Sequence, residues 1–164
     1  MKKYELTDET LQIGTITLHR IKAMVAFAGV DAGETGGWVE KEENLAQDGN
    51  AWVYGDARVS GNARVYGNAW VSDNAHHLEI GPIGSRNDTI TFTRGKDGSI
   101  FAKVGCFFGT LAEFREKVGE THGENEHAQA YLLAAELAEL RIDTTPEADK
   151  QETPDAERGT TENG

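Results

Sequence analysis

The sequence predicts a mainly β protein with some α, built around a short parallel β-helix of six-residue rungs. Three observations carry that expectation. "NAWVYGDARVSGNARVYGNAW", residues 50–70, repeats every six residues. The composition couples 19 glycines with a hydrophobic fraction of only 38%, which suits turn-dense β architecture better than a helical bundle. Downstream of the repeat, strand, turn and helix-start signals follow one another closely.

The 164 residues suit one domain with at most a small appendage. Four parts separate along it. Residues 1–37 should form N-terminal strands that cap the repeat. Residues 38–79 hold the repeat, 80–142 a β-hairpin with two helices, and 143–164 an acidic tail without apolar periodicity, expected to be disordered. In the first part Ile16, Leu18 and Arg20 alternate with Thr15, Thr17 and His19, so one or two strands fit before the turn-rich "DAGETGG".

The repeat aligns as "NAWVYG", "DARVSG", "NARVYG" and "NAWVSD". Val53, Val59, Val65 and Val71 hold one phase, and Ala57, Ala63, Ala69 and Ala75 follow each valine by four residues. Neither the helical period of 3.6 nor the strand period of 2 produces a spacing of six. A valine and an alanine per rung should point inward, with Asn or Gly at the corners because both tolerate left-handed backbone angles. Upstream, Val39, Leu45 and Ala51 occupy the small-residue register, while Lys41 and Gln47 stand where an inward valine belongs.

In the third part "DTITFTRG" and "SIFAKVGCFF" read as strands joined by the turn "GKDGS". Thr110 and Glu113 have the spacing of a capping box, and Gly119 lies where a short helix would stop. Asn125 should cap a second helix. On it Ala128, Tyr131, Ala135, Ala138 and Ile142 form one apolar stripe, and Leu133, Leu137 and Leu140 another.

The "V-x-G-[ND]-A-x" rungs resemble the hexapeptide-repeat proteins. That resemblance implies a left-handed β-helix, a triangular prism with 18 residues per coil. Trp52 should then lie beneath Trp70, Arg58 beneath His76, and Asp56 against Asn74. The paired tryptophans would either cover a prism face or form an outward platform for a ring-bearing ligand. Many proteins of the family are acyltransferases with a histidine base on a loop projecting from the coil. Here the rungs carry no inserted loop, and His77, in the inward valine phase, reads as a cap on the last rung.

A net charge of −12 disfavours general nucleic-acid binding, although an acidic surface can also mimic DNA. There is no apolar stretch of membrane-spanning length and no signal-peptide pattern. With Cys106 the single cysteine no internal disulfide forms, so the expected setting is the cytoplasm. Cys106, His122 and His127 lack metal-ligand spacing, so neither metal nor cofactor is expected. Cys106 itself, in "VGCFFG", reads as a buried strand residue, a poor nucleophile beside His122.

"GPIGSRND", residues 81–88, is the stretch outside the repeat that is densest in hydrogen-bonding groups. It is either a plain turn or a binding loop in which Ser85, Arg86, Asn87 and Asp88 take an anion, joined by Arg94 and Lys103 from the adjoining hairpin. No "GxxxxGK[ST]" or "GxGxxG" accompanies it. With Trp52 and Trp70, these residues make the candidate site for a nucleotide-like ligand, and no catalytic residue is assigned.

The stretches "LHRIKA", "GGWVEKEENLAQDGNAWVYG", "IGPIGSRND", "GCFFGTLAEF" and "THGENEHAQAYL" are similar to a group of small phage and prophage proteins. The resemblance implies an accessory protein acting in the cytoplasm of a bacterial host. Such a protein would sequester a small anionic ligand or block a host defence protein, without catalysis. A structural or assembly module and a hexapeptide-repeat acyltransferase are the alternatives. The apolar surface left by a short prism and a two-sided helix points to a homo-oligomer.

Overall fold

The computed structural model describes residues 1–146. Strands β1 (Tyr4–Ile13) and β2 (Ile16–Ala23) form a hairpin. β3 (Thr35–Val39) runs antiparallel to β2 and parallel to β5 (Arg58–Val59), completing a four-stranded sheet in the order β1-β2-β3-β5. β4 (Trp52–Val53) and β6 (Trp70–Val71) make a separate parallel pair. A second four-stranded sheet, order β10-β9-β8-β7, is wholly antiparallel. Its strands are β7 (His77–Ile83), β8 (Asp88–Arg94), β9 (Ile100–Val104) and β10 (Phe107–Thr110). Helices α1 (Leu111–His122) and α2 (Glu126–Arg141) follow.

This corrects the expected fold class: the protein is not a left-handed parallel β-helix. The described strands form separate, mostly antiparallel sheets, and the parallel pairings are two residues long. Nor is a uniform 18-residue repeat kept. Trp52 pairs with Trp70, but Trp38 pairs with Arg58, and Leu45 with Val65, at an offset of 20 residues. The physical reason lies in side-chain pairing. Sliding the upstream segment by two residues sets Val39 beside Val59 and Leu45 beside Val65, aliphatic against aliphatic. A slip of two leaves every side chain on its own face of the sheet, so it costs nothing in sidedness.

The valines and alanines nonetheless point inward. Val53, Val59, Val65, Val71, Ala57, Ala63 and Ala69 are buried, together with Val39, Leu45 and Ala51, whereas Ala75 is exposed. Gly36 and Gly37 let β3 approach this core closely. A Cβ on Gly36 would sit 2.6 Å from the Trp52 ring and 2.6 Å from the Val53 carbonyl oxygen, closer than van der Waals contact permits. Gln47, in place of an inward valine, donates to the Tyr4 carbonyl and accepts from the Lys3 and Tyr4 amides. The N-terminal hairpin is thereby tied to the repeat.

Of the two alternatives for the paired tryptophans, the structure shows covered rings and not an outward platform. Trp52 is wholly buried and meets Tyr4 and Phe27 edge-on, with ring centroids 6.3 and 5.3 Å away. Trp70 is 5% exposed, stacks on Tyr54 at 5.6 Å and lies under the Lys96 ammonium. Burying two indoles rewards the fold more than leaving a flat aromatic surface in water. Against the last rung, His77 Nε2 lies 2.9 Å from the Arg58 carbonyl oxygen, and Asn74 accepts from the Arg58 amide. It is His77, not His76, that meets Arg58.

A second core lies between the antiparallel sheet and the helices, around Ile90, Phe92, Phe114, Ala135 and Ala138. Thr110 and Glu113 form the capping box of α1, and the Asn125 side chain accepts from the Ala128 amide to start α2. Gly119 lies inside α1, which ends instead at Gly123, φ +60°. On α2 the stripe containing Ala128 and Tyr131 is buried, and Leu133, Leu137 and Leu140 face outward. Of the tail, residues 143–146 are described: Asp143 donates its amide to Ala75 and the Thr145 carbonyl accepts from Arg94. The disorder expected beyond them falls outside the described residues. No helix among the described residues is long and apolar enough to cross a membrane.

Candidate functional site

β7 passes to β8 through a tight turn in which the Asn87 amide donates to the Gly84 carbonyl at 3.2 Å. Both residues that close it have positive φ, +77° at Gly84 and +50° at Asn87, angles that Gly and Asn adopt most readily. Beside this turn lies the Gly105–Cys106 turn between β9 and β10. The two turns frame two adjoining cavities, which share Asp88, Val104 and Gly105 as their common rim.

The first cavity, about 330 Å³, is aromatic. Phe107, Phe114 and Tyr131 form its wall; Phe114 meets Phe107 at 5.8 Å and stands edge-on to Tyr131 at 5.7 Å. His122 also lies against Tyr131, 5.6 Å between centroids. Arg86 and Lys117 bring positive charge and Ser85 a hydroxyl. A volume of this size with an apolar wall and a few polar groups is what small-molecule sites commonly have.

The second cavity, about 430 Å³, is polar and lined by Asn62, Arg64, Asn87, Thr89 and Lys103. Burial pushes the Lys103 ammonium below the usual lysine range, the facing Arg64 guanidinium adds to this, and Cys106 and Asp88 act in the opposite direction. The Tyr131 hydroxyl is pushed up by burial and by Asp88. Asp88 thus projects its field into both cavities.

Of the residues singled out in the sequence, Ser85, Arg86, Asn87, Asp88 and Lys103 come together here. Arg94 does not. It is buried, and its guanidinium donates to the carbonyls of Trp70 and Thr145 at 3.2 and 2.7 Å. Trp52 and Trp70 belong to the first core. Cys106 is exposed in its turn rather than buried in a strand, because Gly105 at φ +52° breaks the strand before it. It lines the aromatic cavity with His122, yet no hydrogen bond joins the two among the described residues. Nor do three or more His, Cys, Asp or Glu side chains gather to hold a metal ion among those residues. Sequence reasoning missed Arg64, Lys117 and the aromatic wall. The outward placement of Arg64 on its rung was the one available signal.

No protein-family model matches the chain. A protein of Escherichia coli strain K12 described as the uncharacterized acetyltransferase YdcK is 40% identical over 62 residues, 33% of this chain and 19% of that protein. The chain therefore spans about a fifth of the length of the curated relative it matches. The match fits a hexapeptide-repeat protein loosely and does not bear on a phage origin.

Proposed function

We propose that the chain binds a small, anionic, ring-bearing ligand of nucleotide-like chemistry in the aromatic cavity beside the Ser85–Asp88 loop, and holds it without converting it. The observation that carries this is the meeting of Arg86 and Lys117 with Phe107, Phe114 and Tyr131 around one cavity, in a chain whose net charge is −12. Local positive charge in an acidic protein selects an anion, and an aromatic wall selects a ring. In the accessory, phage-borne role that the sequence resemblance implies, such binding withdraws a nucleotide signal from a host defence.

The protein recovered from bacterial lysate and denatured should release a ring-bearing anion identifiable by mass spectrometry. Arg86→Ala should release much less of it. Recovery of no small molecule from the wild-type chain would count against the proposal. A second reading, acyl transfer, is favoured by the described activity of the Escherichia coli relative. Turnover of acetyl-CoA by the purified chain would establish it in place of the first.

A further inference from the structure

We infer that the polar cavity is a phosphate subsite, so that the ligand is a nucleoside phosphate with its base in the aromatic cavity and its phosphate between Arg64 and Lys103. This rests on the aromatic cavity being a ligand site, and it adds what that site alone does not specify.

Asp88, Val104 and Gly105 line both cavities at the end of the sheet, where β8 starts and β9 turns into β10, and a ligand that reaches both crosses that end. The far side holds two cations from separate parts of the chain, Arg64 on a rung of the repeat and Lys103 on β9. Neither forms a salt bridge among the described residues. Arg64 donates to the Glu43 carbonyl at 3.0 Å, and the Lys103 ammonium bonds the Gly105 carbonyl and lies 5.1 Å from the Tyr66 ring centroid. The two cations repel each other, and Asp88 on the cavity's lining offsets that only in part, since the Lys103 ammonium stays below its usual range. A doubly charged anion between them removes that repulsion and gains charge-assisted hydrogen bonds.

The remaining lining suits the same chemistry. Asn62, Asn87 and Thr89 present amide and hydroxyl donors, which phosphate oxygens accept. Asp88, on the rim, is an acceptor that repels phosphate but takes hydrogen bonds from sugar hydroxyls. Its position between the cavities therefore favours base on one side, sugar at the rim and phosphate beyond.

Titration calorimetry on the full chain with each common nucleoside and its 5′-monophosphate tests this. At least one monophosphate should bind about tenfold or more tightly than its nucleoside, the factor expected from charged hydrogen bonds. Arg64→Gln with Lys103→Gln should abolish that advantage while leaving nucleoside affinity within about twofold. In spectra of the labelled protein, inorganic pyrophosphate should shift the amides of Asn62, Thr89 and Lys103, and the double variant should not respond. A nucleoside that binds as tightly as its monophosphate overturns the subsite but leaves the aromatic cavity a binding site. If no nucleoside or monophosphate binds, the nucleoside phosphate is overturned, and a different ring-bearing anion released from lysate would still uphold the broader proposal.

Discussion

The Tyr131 hydroxyl occupies the place where a Cβ on Gly84 would stand. Tyr131 comes from the buried stripe of α2 and Gly84 from the turn that carries Ser85, Arg86 and Asn87. One contact therefore sets both the turn and the aromatic wall. Gly84→Ala should cost roughly 1–2 kcal/mol for its left-handed backbone, with about 1–3 kcal/mol more for overpacking against Tyr131. In a Tyr131→Ala background the second part should vanish. Urea unfolding of the four proteins measures the coupling, and additive costs would show that the contact does not hold the turn.

Trp52 gives a sharper contrast, because an outward platform and a core position predict opposite results. Enclosed by Tyr4, Phe27 and the backbone of Gly36, its truncation to alanine should cost about 3–5 kcal/mol. The emission of Trp52 should be blue-shifted and poorly quenched by iodide in the folded chain. A Trp52→Ala variant as stable as the parent would mean that the hairpin does not cover this ring.

What could be read from the sequence was local. Thr110, Glu113 and Asn125 cap helices through bonds spanning three residues, and the hexad phase told which valines and alanines go inward, with Ala75 the exception. What could not be read was register and cover. The two-residue slip that pairs Val39 with Val59 keeps every side chain on its own face, so the hydrophobic pattern is silent about it. Tyr4 covers Trp52, and Tyr131 meets Gly84, across long sequence separations that no periodicity encodes. The candidate loop was legible from its density of polar groups. Its cavities were not, because Arg64, Lys117 and Phe107 reach them from different elements.

The two apolar stripes of α2 should respond differently to change. Leu140 is 83% exposed and Ala135 fully buried. Leu140→Gln should leave the unfolding free energy within about 0.5 kcal/mol, whereas Ala135→Leu should cost about 1–3 kcal/mol by overpacking the second core. Urea titrations at micromolar concentration compare them directly. Equal, large losses from both would indicate that the outer stripe is covered in solution.

Stability should depend on alkaline pH through Lys3 and Tyr4. The Lys3 ammonium is buried, donates to the Ala51 carbonyl at 2.8 Å and has its pKa lowered to about 8 by desolvation, against a weaker opposing effect of Asp48. Between pH 8 and the unfolded lysine value near 10.4, the unfolded chain binds more protons at this site than the folded one. Stability therefore rises with pH in that window. Tyr4 acts the other way: burial, then Glu42 and Glu43, raise its pKa, so stability falls once the unfolded phenol ionises near pH 10. The combined expectation is a gain from about pH 8 to 10 and a loss above it. Lys3→Met should remove the gain, and Tyr4→Phe should remove the loss. Unfolding free energies from urea titrations at half-unit pH steps would show both limbs. A flat profile from pH 8 to 10 in the parent chain would mean that Lys3 is hydrated in the folded state rather than enclosed by the Asp48–Ala51 carbonyls.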